Sequence, residues 1–139
     1  MGAMWTMGLS KLWFEEPDTV RLVTVGAFDM KLMTEVNAVA EELRVHHPAI
    51  YLVSDMRQSS GLTPEVRKAI GESPDANPFA GMVIFGASFA VRTMANMMTR
   101  AAALLGRQGT KPFAMVDTEE EAKAWVAAQR DAARVKQAS

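Results

Sequence analysis

Residues 49–65 read AIYLVSDMRQSSGLTPE, an apolar run followed by a polar segment and a helix-start signal. Ala49–Val53 is a continuous run of apolar and aromatic residues, which predicts a strand covered on both faces of a sheet. The polar residues that follow predict a loop over Arg57–Gly61. Thr63-Pro64 then predicts the start of a short helix over residues 63–71, with threonine as N-cap and proline in the first helical position.

The sequence downstream repeats this alternation of strand and helix. Met82–Phe85 and Phe113–Val116 are further apolar runs, and Ser88 and Thr118 are placed to cap the helices that follow them. Three successive units of strand and helix predict a largely parallel sheet with right-handed crossovers.

The sequence upstream predicts a β-hairpin and a helix. Leu9–Phe14 and Val20–Val25 are apolar runs joined by a turn at residues 15–18, and Asp29 can cap the first helix. The element order is therefore β-β-α-β-α-β-α-β-α, an α/β fold with a mixed, mostly parallel sheet of about five strands and four helices.

We expect one domain over residues 9–134, with flexible termini at 1–8 and 135–139. The composition, 49% hydrophobic and 22% charged over 139 residues, is typical of a globular domain. The absence of an apolar run of about 20 residues predicts no membrane span. A net charge of −1 predicts no affinity for nucleic acid, and the lack of a signal pattern predicts a cytoplasmic protein.

The sequence predicts no enzyme, cofactor or metal site. The chain has no cysteine, which excludes thiolate catalysis and Cys-based metal ligation. The two histidines, His46 and His47, are adjacent at a predicted helix end, with no serine near them and no third ligand at a recognisable spacing. We expect a structural or solvated role for both.

The carboxyl ends of the parallel strands predict a recognition edge, because ligands gather there in open α/β sheets. Three segments should meet at this edge: 55–63, 86–88 and 117–118. The alternative is that the first segment is simply a well-capped loop. A partner is expected to bind through the loop 55–63 and the face of the 63–71 helix. The residues predicted to bind it are Asp55, Arg57, Ser59, Ser60, Thr63 and Ser88.

The predicted helix from Ser88 to Leu105 carries a wide apolar stripe. Its centre is expected to cover the sheet, and its edges are candidate surface for a partner or an apolar ligand. No acidic residue lies between Asp75 and Asp117, which also suits an anionic partner. The central stripe consists of Val91, Met94, Met98, Ala101 and Leu105, and the residues predicted to line an apolar pocket are Met94, Met97, Met98 and Trp125.

Three local sequences resemble the SpoIIAA-like branch of the STAS domain family: Gly26-Ala27-Phe28-Asp29, Ser59-Ser60-Gly61-Leu62 and Gly86-Ala87-Ser88. The resemblance implies a STAS fold and a regulatory role like that of anti-sigma-factor antagonists. It implies a protein partner, which can be a kinase that phosphorylates Ser59, with Ser60 as the neighbouring candidate.

The chain departs from the antagonists at Gln58, where their motif has aspartate, and its loop is several residues shorter. Thr63-Pro64-Glu65 is typical of the subgroup, which generally lacks the regulated serine. The similarity of this subgroup to Sec14 lipid-binding domains implies an alternative function, a carrier of a small apolar or lipid ligand. Eleven methionines and three tryptophans also favour a homodimer.

Overall fold

The computed structural model describes residues 3–138 of the chain, and within them six strands and four helices follow one another. The strands are β1 (Met4–Met7), β2 (Ser10–Glu15), β3 (Thr19–Phe28), β4 (Tyr51–Leu62), β5 (Gly81–Phe85) and β6 (Phe113–Val116). The helices are α1 (Met30–Arg44), α2 (Pro64–Glu72), α3 (Phe89–Leu104) and α4 (Glu119–Ala138). The predicted α/β class and the predicted mixed sheet are confirmed.

One sheet contains the strands in chain order, from β1 to β6. β1, β2 and β3 are antiparallel, whereas β3, β4, β5 and β6 run parallel. The parallel strands are level with one another, since Val20 pairs with Leu52, Leu52 with Met82, and Met82 with Phe113. Their carboxyl ends therefore lie along one edge.

The two faces of the sheet have separate cores. On the first face, Leu22 and Leu52 pack with Val36 and Ala40 of α1. On the second face, Val53 and Phe85 pack with Ala122 and Val126 of α4, and Trp125 lies beside them. α2 lies against α1 and α3, and α3 lies against α2 and β4.

Each predicted helix cap is confirmed by a hydrogen bond to a side-chain oxygen. Asp29 accepts from the backbone N–H of Leu32 at 2.9 Å, and Ser88 accepts from Val91 at 3.3 Å. Thr63 and Thr118 accept in the same way, from the N–H groups of Val66 and Glu121. Since these contacts lie within four residues, the local sequence is sufficient to predict them.

Both predicted terminal boundaries differ from the structure. Met4–Met7 were expected to be flexible but form β1, because Trp5 and Met7 alternate onto the first face and pack against the core there. α4 continues to Ala138 instead of ending near residue 134, since its last residues are good helix formers. Residues 1, 2 and 139 of the predicted termini lie outside the described residues.

The predicted loop over Arg57–Gly61 is wrong. These residues continue β4, which pairs with β3 as far as Leu62 opposite Phe28, with two irregularities in register. Polar side chains are compatible with this pairing because the ladder is made by backbone groups. β5 pairs with β4 only as far as Asp55, so beyond it β3 and β4 project as a two-stranded ribbon.

The predicted role of the α3 stripe is only partly right. Among the described residues of α3, Val91 is the buried one, and it packs with Met56 and Ala87. Met94 and Met98 are half-buried, whereas Ala101 and the C-cap residue Leu105 are exposed. The helix touches the body of the protein mainly through its first half, so most of the stripe does not cover the sheet.

Candidate functional site

The carboxyl ends of β4, β5 and β6 meet as the sequence predicts. Asp55 is level with Phe85, and Phe85 is level with Val116. Gly86 and Asp117 follow the two shorter strands directly, while β4 continues past them. The edge is therefore uneven, because the ribbon of β3 and β4 extends beyond the ends of β5 and β6.

Asp55 and Arg57 form a bidentate ion pair at this edge. The Nε and Nη2 groups of Arg57 donate to the two carboxylate oxygens of Asp55 at 3.0 and 2.7 Å, and the backbone N–H of Arg57 donates at 3.0 Å. Asp55 is 4% exposed, whereas the Arg57 side chain is 64% exposed. Burial by itself raises the pKa of Asp55, but the hydrogen bonds and charge of Arg57 hold that pKa below its usual value.

Two further contacts fix the position of Arg57. Its guanidinium lies 5.4 Å from the centre of the Phe85 ring. Its aliphatic part passes over Gly86, where an added Cβ would lie 2.3 Å from the Cγ of Arg57. Gly86 also has φ +72°, a conformation that favours glycine. The exposed guanidinium is therefore positioned by Asp55, Phe85 and Gly86.

Ser59, Ser60 and Thr63 lie farther along the ribbon. The hydroxyl of Ser59 is half-buried and accepts a hydrogen bond from the N–H of Gly61 at 3.0 Å. Ser60 is exposed, and Thr63 is occupied as the cap of α2. The ribbon also touches α3, since a Cβ at Gly61 would lie 3.3 Å from a methyl carbon of Val91.

Residues close to Ser88 form hydrogen bonds at this edge. Arg92, one turn into α3, donates to the carbonyl of Ala87 at 3.1 Å and to the carboxylate of Asp117. The starts of α3 and α4 are thereby tied together beside Gly86. The structure thus brings Asp55 and Arg57 together beside Gly86, two residues before Ser88, while Ser59, Ser60 and Thr63 extend along the ribbon.

A buried arginine near this edge was not predicted. Arg21 is 6% exposed on the second face, where it pairs with Glu15 and Glu119 and lies 5.5 Å from the ring centre of Trp13. A charged residue between Val20 and Leu22 was the available signal, because a charge inside an apolar strand requires a partner.

Two solved structures resemble this arrangement. One is an uncharacterized protein of the DUF3478 family with a SpoIIAA-like fold from Shewanella loihica PV-4; it is 14% identical, and the match covers 90% of this chain and 94% of that protein with a TM-score of 0.53. The other is the anti-sigma factor antagonist SpoIIAA in its unphosphorylated form, 16% identical over 90% of this chain and 98% of SpoIIAA, with a TM-score of 0.52. The chain has a SpoIIAA-like fold. No protein-family model matches the sequence, and no curated protein shows significant sequence similarity to it.

The four residues predicted to line an apolar pocket do not come together on this SpoIIAA-like fold. Met94 lies over Gly61 at the far end of the ribbon, whereas Trp125 lies over Gly81 at the opposite end of the sheet. Met97 is exposed and Met98 is half-buried. Two clefts described within residues 3–138, of about 220 and about 180 Å³, include none of the four. They are lined by Glu15, Glu16, Thr19, Arg21, Val53, Lys123, Val126 and Arg130, and by Arg44, Pro48, Pro78, Phe79, Ala80 and Lys111, respectively.

The histidines lie far from the edge. The ring of His47 packs against Phe14 with 4.4 Å between ring centres, and His46 is exposed. Among residues 3–138, the acidic and histidine side chains form no group of three that could hold a metal ion. The same part of the chain contains no helix with the length and apolar character needed to cross a membrane.

Proposed function

We propose that this chain is a non-catalytic regulatory module that binds a protein partner through the carboxyl edge of its sheet. The observation that supports the proposal is the Asp55–Arg57 pair, in which an exposed guanidinium is held in one place by a buried carboxylate. Arginine is over-represented among residues that dominate protein interfaces. A side chain fixed before binding also loses less conformational entropy when the partner docks.

The residues around Arg57 suggest the chemistry of the partner surface. Gln58 and Ser60 are exposed on the ribbon, and Ser88 is exposed at the start of α3. A partner that presents a carboxylate to Arg57 and hydrogen-bonding groups to these side chains would match the edge. We place this partner in the cytoplasm with the chain.

Regulation by phosphorylation is the second part of the proposal. SpoIIAA, which shares the fold, is an anti-sigma factor antagonist with an unphosphorylated form. Ser60 is exposed, and Ser59 lies beside it with its hydroxyl bonded to the N–H of Gly61. A phosphate would add a charge of about −2 close in sequence to Arg57 and so change docking. A kinase would then be one partner of the chain.

The binding test compares two arginine variants. Full-length chain carrying Arg57→Gln should lose a captured partner that the unmodified chain retains from the source cell. Arg44→Gln, which removes an exposed arginine at the end of α1, should retain it. A partner retained equally by both variants would contradict the proposed edge. The phosphorylation part fails if mass spectrometry finds no modified serine at 59 or 60 in chain isolated from that cell.

A further inference from the structure

The outer side of α3 carries an apolar seam that the rest of the chain leaves exposed. Met97 is 65% exposed and Leu104 is 88% exposed. Ala90 and Ala101 are exposed beside them, and Met94 is half-buried. The seam consists of Ala90, Met94, Met97, Ala101 and Leu104, which follow one another at alternating intervals of four and three residues. This average spacing of 3.5 residues is that of the contact seam of paired helices.

We infer that the seam is the surface through which two copies of this chain associate, with the two α3 helices antiparallel. The inference does not rest on the proposed partner edge, because the seam begins at Ala90, past Ser88, and runs along α3 to Leu104. A second copy is favoured over other occupants because the seam complements itself in one register.

In that register the two-fold axis passes between Ala95 and Asn96. Met94 then packs against Met97 of the second copy, and Ala90 packs against its Ala101. Methionine fills irregular space well, and alanine pairs allow helices to approach closely at both ends of the seam. Antiparallel helices also place opposite ends of their dipoles side by side.

The same register explains the charged and aromatic groups that flank the seam. Phe89 is 85% exposed, and Arg100 is exposed on the same flank, eleven residues later. In the antiparallel pair, Arg100 of each copy lies beside Phe89 of the other, where its guanidinium can stack on the ring. The two Arg100 residues are separated by about 13 Å along the axis, which exceeds the Debye length at physiological salt.

The amount of exposed apolar surface also fits a dimer. Phe89, Met97 and Leu104 are large side chains that are each at least 65% exposed within a single helix. A monomer rarely exposes a contiguous apolar patch larger than a few hundred Å². Specific interfaces bury about 600–1,000 Å² from each partner, and large exposed side chains such as these would form the apolar centre of one.

Sedimentation velocity over a concentration series tests the association. The unmodified full chain should dimerise, and Met97→Glu should weaken the dimer at least about tenfold, as expected when one central contact is lost. Val135→Glu is the matched control, since Val135 is an exposed valine on α4 and its replacement should leave the dimer unchanged. Circular dichroism checks that both variants keep the fold. A chain that is monomeric throughout, or a dimer that survives Met97→Glu, would overturn the inference.

Disulfide cross-linking tests the antiparallel register. Because the chain has no cysteine of its own, the introduced cysteines are the ones that can react. An equal mixture of Ala90→Cys and Ala101→Cys should form a disulfide between copies on oxidation, whereas either variant alone should not. A parallel pair would give the reverse result and overturn the geometry.

Measurements in high salt and with lipid vesicles distinguish a second copy of the chain from a membrane as the occupant of the seam. The dimer should persist in high salt, because apolar packing holds it together. A monomeric chain that binds phosphatidylserine vesicles, and loses them in salt, would assign α3 to a membrane surface instead and overturn the inference.

Discussion

The guanidinium of Arg57 donates one hydrogen bond to each carboxylate oxygen of Asp55, at 3.0 and 2.7 Å. The two residues are separated by one position, Met56, which turns inward to the α3 side of the sheet. The irregular register between β3 and β4 at this point makes the geometry possible, since the ladder skips from Asp55 to Gln58. The exposed guanidinium of Arg57 thus lies where the register between β3 and β4 is irregular.

Replacing Arg57 with methionine should raise the pKa of Asp55. Burial would then act on that carboxyl without the hydrogen bonds that oppose it. In the unmodified chain the pKa of Asp55 is lower folded than unfolded, so its contribution to stability is complete above the unfolded pKa of about 3.9 and is lost as the pH falls through the folded value. Arg57→Met should move the loss of stability to higher pH.

The pKa of Asp55 can be followed by NMR titration, and stability by urea unfolding at a series of pH values. Arg44→Met is the matched control, because Arg44 forms an exposed pair with Glu41. Identical acid profiles for the two variants would show that Arg57 does not govern the ionisation of Asp55.

Replacing Gly86 with alanine should destabilise the protein and displace Arg57. The new Cβ would stand 2.3 Å from the Cγ of Arg57 and would also require a left-handed backbone at φ +72°. Gly8→Ala is a control for the backbone effect alone, since Gly8 has φ +64° and an added Cβ there meets none of the described atoms within 4 Å. We expect about 1–2 kcal/mol for Gly8→Ala and a larger loss for Gly86→Ala.

Urea unfolding measures both losses. Measured against Arg57→Ala alone, which itself leaves Asp55 without its partner, the added Gly86→Ala should no longer cost this excess over the control, because the clashing side chain is gone. A double variant that recovers none of the excess would contradict the proposed close approach.

Ser59→Ala and Ser60→Ala should differ in their effect on the free energy of unfolding. Ser59→Ala removes the acceptor for the N–H of Gly61 and should lower the free energy of unfolding by about 1 kcal/mol. Ser60→Ala changes an exposed side chain and should stay within about 0.5 kcal/mol of the unmodified chain. Equal losses in urea unfolding would remove this distinction between the two candidate phosphosites.

The helix caps and the buried strands are predicted correctly because they depend on residues close together in the sequence. Asp29, Thr63 and Ser88 cap their helices through contacts three residues away, so a short window contains all the required information. Three of the four parallel strands, β4, β5 and β6, are predicted because continuous apolar runs are needed where helices cover both faces. The common edge formed by the carboxyl ends of these strands follows from this order alone.

The remaining features depend on contacts that a local pattern does not contain. The polar stretch of β4 from Arg57 to Gly61 has the composition of a loop and becomes a strand only through its pairing with β3. The α3 stripe has the same period whether a sheet covers it or not, so the exposure of its central residues Ala101 and Leu105 was not predicted. Arg21 forms an ion pair with Glu119, which is 98 residues away in the sequence, and sequence spacing does not reveal this pairing.

The ion pair between Asp18 and Arg130 provides a further test, since it joins the β2–β3 turn to α4. Arg130 donates two hydrogen bonds to Asp18, at 2.8 and 2.7 Å, and the side chains are 28% and 13% exposed, respectively, for Arg130 and Asp18. Asp18 also raises the pKa of Arg130 through these bonds. Arg130→Met should cost about 1–3 kcal/mol, because it leaves a mostly buried carboxylate without its partner.

A double-mutant cycle with Asp18→Asn and Arg130→Met isolates the coupling between the two side chains. The same cycle on Asp131 and Arg134, an exposed pair on the same helix, serves as the control and should give no more than about 0.5 kcal/mol. Partial burial distinguishes the two pairs, since water competes less for the charges of Asp18 and Arg130. Coupling energies that are equal in the two cycles, measured by urea unfolding, would show that Asp18 and Arg130 do not hold α4 on the sheet.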